Sequence, residues 1–312
     1  MKIAILLSTY NGEKYLQEQL DSLLNQSYDA IEVIVRDDGS RDKTYQILEM
    51  YDITLLENRE NLGVKGSFEV LLAYTLEHSD AQYFMFCDQD DVWKNDKIEQ
   101  TLSKMQAMEQ EHEEMPLLVH SDLEVVNESL ETIADSMWEY EAIFPQYNTF
   151  NRLLIQNTIT GCTMMINRRL AEFSLPIPSG AVMHDWWMGL VAAQFGKVGY
   201  IDQSTIKYRQ HSNNTIGAKD HKKINLFRHY AGVLFSLIKR DQKYMKDLEI
   251  NIKQAKAFLD TFESQLNQET INMLKSFIHI EQSSFLQKRQ TIYRYKLYKQ
   301  SFINNIALWI KL

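Results

Sequence analysis

FMFCDQDDVW, residues 84–93, sets a run of apolar residues directly against clustered aspartates. With Tyr83 the apolar half reads as a strand buried on both faces. Asp88, Asp90 and Asp91 occupy three of the next four positions. The other apolar runs in this part of the chain end in the same way. KIAILLS (2–8) runs into TYNGE, IEVIV (31–35) into RDDGS, and ITLL (53–56) into ENRENLG.

Helical spacing fills the intervals. EKYLQEQLDSLLNQ places Tyr15, Leu16, Leu20, Leu23 and Leu24 on one face. DKTYQILEMY follows with Asp42 as candidate N-cap, and GSFEVLLAYTLEHS with Ser67 in that place. Strands alternating with helices predict right-handed crossovers and an α/β fold with a mostly parallel sheet. In such sheets ligands bind beyond the carboxyl ends of the strands. The four polar clusters are therefore expected on one edge.

Further along, LLVHSDLEVVN (117–127) reads as a strand, and TGCTMMINRRLAEF (160–173) as a strand feeding a helix. SGAVMHDWWMGLVAAQFG reads as a loop and a helix opening near Asp185 and stopped by Gly196. KVGYIDQSTIKYRQHSNN (197–214) reads as two short strands and a polar loop. Residues 128–157 mix helical and loop signals. From about residue 221 only helical patterns remain: INLFRHYAGVLFSLIKR, NIKQAKAFLDTF, ETINMLKSFIHIEQSSFLQKRQ and INNIALWIKL. The expected division is 1–220 and 221–312.

The 312 residues are 45% hydrophobic and 24% charged, as in an ordinary soluble domain. The net charge of −9 is unevenly spread. Residues 1–220 hold 17 Lys+Arg against 35 Asp+Glu, a balance of −18, and residues 221–312 hold 16 against 7, a balance of +9. The acidic part is unsuited to phosphate backbones, so no nucleic-acid partner is expected. Two cysteines without metal-ligand spacing point to a reducing compartment. The start of the chain is too briefly apolar for a signal peptide, and no stretch is long enough to span a bilayer.

The chemistry centres on the acidic cluster. A DxDD at a strand end is often solvated surface or helix capping, and Asp91 suits a cap for a helix beginning near Val92 or Trp93. Its buried approach and its edge position favour a site instead. Carboxylates held this close need a counter-charge. Oxygen-rich ligation suits Mg²⁺ or Mn²⁺, which also engage substrate phosphates. RDDGS alone is a plain turn, or a carboxylate aimed at a nucleobase or ribose. The phosphate loop GxxxxGK[ST], the dinucleotide fingerprint GxGxxG, HExxH and GxSxG are all absent.

Together, STYNGEKYLQEQLDSLLNQSY, VIVRDDGSRDKT and FCDQDDVW resemble the family 2 inverting glycosyltransferases with the GT-A fold. NLGVKGSF, MHDWW and YRQHSNN are similar to bacterial rhamnosyltransferases of that family, which build cell-wall and capsular polysaccharides. The resemblance covers about residues 1–215. It implies a nucleotide pocket lined by Thr9, Tyr10, Glu13, Asp38, Asn61, Gly63, Lys65 and Asp88, with Tyr10 stacking on the base. Asp90, Asp88 and His211 would hold the metal, and Asp185 would be the catalytic base. Trp186, Trp187 or Gly161 would meet sugar or acceptor, although tryptophans are by default core. Arg209 and Asn213 would lie near phosphate, while Arg168 and Arg169 read as a solvated face. The partners implied are a nucleotide-sugar donor and a glycan, lipid-linked or glycoprotein acceptor. The place implied is the cytoplasm or the inner face of the cell membrane. For the basic C-terminal helices, peripheral membrane association and packing or homo-oligomerisation both stand, with packing favoured. The donor reads as dTDP-rhamnose, or else a UDP-hexose. A non-catalytic nucleotide-sugar-binding module is the remaining alternative.

Overall fold

A computed structural model describes residues 1–56, 60–211 and 242–311. The predicted strands of the first half form as read. β1 (Ile3–Thr9) lies between β2 (Ile31–Asp37) and β4 (Tyr83–Cys87), with β3 (Thr54–Leu56) outside β2. All these pairings are parallel. Ile3–Leu7 and Tyr83–Cys87 are buried throughout, as continuous apolar runs require in a sheet flanked by helices. The register sets Thr9 beside Asp37 and Leu7 beside Cys87, so the polar clusters leave the sheet side by side.

The connecting helices are α1 (Leu16–Leu24), α2 (Thr44–Leu48) and α3 (Gly63–His78). Asp42 accepts from the Thr44 amide, but the residue at the N-cap of α2 is Lys43, one place further on. Ser67 is no cap: α3 begins four residues before it, and Ser67 is buried with its hydroxyl 2.7 Å from that of Ser8. The first amides of that helix belong to Asp38, whose oxygens accept from Leu62 and Gly63, each at 2.8 Å. At the other end Arg168 donates to the carbonyls of Leu76, Ser79 and Ala81. It is a helix-end anchor rather than part of a solvated face.

Beyond β4 the sheet turns mixed. After β5 (Val92–Trp93) come α4 (Lys97–Glu111), β6 (Leu117–Val126), β7 (Thr132–Ala134), α5 (Met137–Glu141) and α6 (Phe150–Leu153). Then follow β8 (Met165–Asn167), α7 (Arg168–Ser174), α8 (His184–Phe195) and β9 (Lys197–Arg209). The order is β3-β2-β1-β4-β8-β6-β9-β5, with β7 beside β6. β8 fills the place between β4 and β6, antiparallel to both. The expected two strands from residue 197 are one, kept continuous past register shifts opposite Ser121 and Asp122. Only Met165–Asn167 of TGCTMMIN is strand; Gly161–Thr163 make a tight 3-10 turn.

Two compact units divide the chain. The first takes Met1–Tyr140, Ile159–Pro176 and the described residues from Met183 to His211, and contains the sheet. The second takes Glu141–Thr158, Ile177–Val182 and the described residues from Gln242. A single boundary at 220 therefore omits two earlier segments. Hydrogen bonds explain their place: Asn251 donates to the Ile155 carbonyl at 2.8 Å, and the Val182 amide donates to Gln254 at 2.9 Å. The second unit's helices are α9 (Gln242–Phe262), α10 (Gln268–Ile278), α11 (Phe285–Tyr295) and α12 (Phe302–Lys311). They bury Phe258, Leu274, Phe277, Ile292 and Leu308. The predicted helix over 224–240 lies outside the described residues. No described helix is long and apolar enough to cross a membrane.

Candidate active site

The loops after β1 and β2 are laced together. Thr9, buried, donates its hydroxyl to Asp37 at 3.0 Å, and the Asp38 amide donates to the Thr9 carbonyl at 2.8 Å. Asn11 accepts from the Arg41 amide, Gly12 donates to Thr44, and Glu13 accepts from the Lys43 amide at 2.9 Å. Glu13 is thus a clasp between loops. Asp38 is buried, and besides Leu62 and Gly63 it pairs with buried Arg36. Its carboxylate fixes the start of α3, where Asn61 and Gly63 are exposed and Lys65 half-buried. Tyr10 stands 46% exposed at the same edge.

The acidic loop follows β4. Gln89 accepts from the Tyr10 amide at 2.8 Å and donates to the Tyr10 carbonyl at 3.0 Å. It occupies the space beside Gly12, where an added Cβ would lie 2.3 Å from its Oε1. Asp90 meets the His211 ring nitrogen at 2.8 Å, and that ring packs on Tyr15. Asp91 points inward, with no exposure, and accepts from the Arg209 amide at 3.0 Å. Helix capping is not its role, because Val92–Trp93 is strand and α4 starts at Lys97. Beneath it lies buried Lys97, with its ammonium 4.5 Å from the Trp93 ring centroid. Burial lowers that ammonium to about 8, against the opposing pull of Cys162, Cys87 and Asp91.

Arg209 does not reach for phosphate. Only 2% exposed, its guanidinium donates to the carbonyls of Asp90 (2.9 Å) and Glu128 (2.6 Å), pairs with Glu18 and covers the Tyr15 ring. It ties the acidic loop to α1 and to the turn after β6. Asn213 lies outside the described residues.

Asp185 sits in the first turn of α8, buried, with one oxygen accepting from the Trp186 amide at 2.7 Å. Gly161 makes room for this turn: a Cβ there would come within 2.9 Å of the His184 ring and 3.6 Å of the Asp185 Cβ. His184 packs between Phe68 and Phe86 and is neutral, held at about 3 by burial. Asp185 comes near the acidic loop through Gly161–Cys162: a Cβ on Gly161 would lie 3.6 Å from that of Asp185, and the thiol of Cys162, the next residue, lies within 4.8 Å of ligand atoms of Asp88 and Asp91. Burial first, then Asp90, then Asp185 push the Asp88 carboxyl up to about 7. Trp187 is excluded as a ligand surface. It has no exposure, and its indole donates to the Ser174 carbonyl at 2.9 Å. Trp186 is half-buried. Sequence reading passed over Gln89 and Lys97; a long amide inside an acidic motif, opposite a glycine, was the one available signal.

The family model for Glycosyl transferase family 2 matches residues 4–173. The chain is a family 2 glycosyltransferase. It is 27% identical to the dTDP-rhamnosyl transferase RfbG of Shigella flexneri over 226 residues, which is 68% of this chain and 74% of that protein. It is 29% identical over 179 residues to the UDP-Glc:alpha-D-GlcNAc-diphosphoundecaprenol beta-1,3-glucosyltransferase WfgD of Escherichia coli, covering 56% and 64% respectively. The crystal structure of S. aureus TarS 1-349 superimposes with a TM-score of 0.50 at 18% identity, over 99% of this chain and 88% of that one. That likeness shows the fold, GT-A.

Glycosyltransferases of this fold commonly use a divalent ion, and the transferase's own residues fit one. Asp90 raises the cost of ionising Asp88 and Asp91, and one oxygen of buried Asp91 has no hydrogen-bond partner among the described residues. Carboxylate oxygens with an imidazole form a donor set for Mg²⁺ or Mn²⁺. Ligand atoms of Asp88, Asp91 and Cys162 also lie within 4.8 Å of one another. A thiol is a poor partner for a hard cation, and burial keeps the Cys162 thiol protonated.

Proposed function

We propose that this glycosyltransferase moves a sugar from a nucleoside diphosphate to a hydroxyl of a glycan or lipid-linked acceptor, inverting the anomeric centre. The donor of choice is dTDP-rhamnose. What carries the reading is that buried Asp185 lies beside Gly161 while the thiol of the next residue, Cys162, lies against Asp88 and Asp91, which supports a base close to a diphosphate-side cluster. Asp185 accepts the proton of the acceptor hydroxyl as that oxygen bonds to the anomeric carbon. The bond from that carbon to the diphosphate oxygen breaks, and its electron pair leaves with the nucleoside diphosphate. Asp90, Asp88 and His211 would hold a divalent ion, whose chemistry is to offset the negative charge on the departing diphosphate. Tyr10 offers its exposed ring to the base. Asp38 supports the pocket by fixing Leu62 and Gly63, with Asn61 and Lys65 beside them. Trp186 and Gly161 serve the sugar or acceptor side.

The rhamnose assignment draws on the relative named as a dTDP-rhamnosyl transferase; the one named for UDP-Glc makes UDP-glucose the second reading. The lipid-linked acceptor draws on the diphosphoundecaprenol in the second relative's name. The chemistry is placed on the cytoplasmic side. Donor hydrolysis with dTDP-rhamnose, UDP-glucose and UDP-galactose, each with and without Mn²⁺, decides among these readings. Metal-dependent turnover of dTDP-rhamnose alone is expected. Turnover of a UDP-hexose alone would replace the donor, and binding without turnover would leave a binding module.

A further inference from the structure

The helices α11 and α12 expose large apolar side chains. Phe285 is 65% exposed, Leu286 76%, Tyr293 73%, Trp309 43% and Ile310 49%. Single exposed apolar residues are ordinary, but contiguous ones mark an interaction surface. These are contiguous. The Arg289 guanidinium lies 3.2 Å from the Phe285 ring centroid and 5.9 Å from that of Trp309, and it donates to the Trp309 carbonyl at 2.6 Å. Leu286 and Tyr293 share the Arg289 side of α11 at helical spacing. Ile310 adjoins Trp309.

The charge here has one sign. From Phe285 to Leu312 the sequence holds Lys288, Arg289, Arg294, Lys296, Lys299 and Lys311 and no aspartate or glutamate. The whole chain, by contrast, carries −9. Arg294 and Lys296 are exposed.

We propose that this patch docks the protein on an anionic lipid surface. Aromatic and aliphatic side chains would enter the headgroup boundary, while the basic residues meet lipid phosphates. Charge selects lipid over a second copy of the chain. A two-fold contact would press the patch against itself and oppose positive charge with positive charge. Insertion is shallow rather than spanning: the ten residues of α12 reach about 15 Å, half of a bilayer's hydrocarbon core. The inference goes beyond the sugar-transfer reading and does not rest on it.

The test is co-sedimentation of the full chain with vesicles of phosphatidylcholine containing one-third phosphatidylglycerol, beside pure phosphatidylcholine. Binding to the anionic vesicles is expected to be about tenfold tighter or more, and to fall as salt is raised. Leu286→Glu with Ile310→Glu should lose about tenfold in binding. Arg294→Gln with Lys296→Gln should lose several-fold on anionic vesicles only. Both variants should keep the parent melting temperature and donor hydrolysis. Folded protein that ignores anionic vesicles would overturn the proposal, as would apolar variants that bind like the parent. Light scattering that shows an oligomer dissolved by the same variants, without vesicle binding, would assign the patch to a second copy.

Discussion

Gln89 holds Tyr10 by both of its backbone groups, accepting from the amide at 2.8 Å and donating to the carbonyl at 3.0 Å. The contact joins the acidic loop after β4 to the loop after β1 that carries Thr9, Tyr10 and Glu13. On the proposed reading it therefore fixes the loop that would hold the diphosphate relative to the loop whose Tyr10 would meet the nucleobase. Gln89→Ala should raise the donor KM about tenfold, on the order of 1.4 kcal/mol, with kcat little changed. Gly12→Ala should act alike, because its Cβ would displace the Gln89 amide. The double variant should be no worse than either single one. Additive losses would mean that the two residues act separately.

His211 and Asp90, 2.8 Å apart, should act together in ion binding. His211→Ala is expected to weaken Mn²⁺ binding by about 10- to 100-fold, and Asp90→Asn by at least as much. Isothermal titration with Mn²⁺ and the nucleotide checks this. Unchanged affinity in His211→Ala would confine that residue to packing on Tyr15.

Trp187 should behave as core and Trp186 as surface. Trp187→Ala is expected to cost about 3–5 kcal/mol of stability, read by urea unfolding. Trp186→Ala should change stability little and impair transfer, seen as a raised acceptor KM. The reverse pattern would move the sugar contact to Trp187.

His120 makes stability fall in acid. It is buried against Trp138 and Tyr200, neither ring nitrogen has a hydrogen-bond partner among the described residues, and burial holds it at about 3. The unfolded chain binds its proton near 6.5, so the neutral folded ring is fully favoured above that pH. The advantage is lost as pH falls from 6.5 toward 3. At pH 5 the loss is about 2 kcal/mol for this group. His120→Phe should remove that share of the acid sensitivity, measured as the difference between parent and variant in melting curves from pH 7 to 5. Parallel curves would contradict the assignment.

Much of the fold was legible because its signals are local. The apolar runs 2–8, 31–35 and 83–87 could only be strands buried on both faces, and their polar ends converge as the crossover rule requires. The mixed half was not legible. β8 has three residues and takes its place from the gap between β4 and β6, which no local pattern records. Ser67 and Asp91 misled as caps for one reason. Capping depends on where the helix begins, and distant groups set that here: Asp38 accepts from the first amides of α3, and the Arg209 amide donates to Asp91. The segments 141–158 and 177–182 join the second unit through partners about 70 to 160 residues away in sequence. Asp185, Asp88 and Asp90 were read from motifs, and their approach through Gly161 and Cys162 is a matter of geometry that spacing could not give.

The central claim is that Asp185 takes the acceptor's proton while the acidic loop holds the donor. Asp185→Asn keeps the size of the side chain and one acceptor for the Trp186 amide. Transfer rate and donor affinity should be measured on the same preparation, with dTDP-rhamnose and with UDP-glucose. The account expects transfer to fall by about 10³-fold or more while the donor dissociation constant stays within about twofold. A variant that still transfers, or one that loses donor binding in step with transfer, would contradict it.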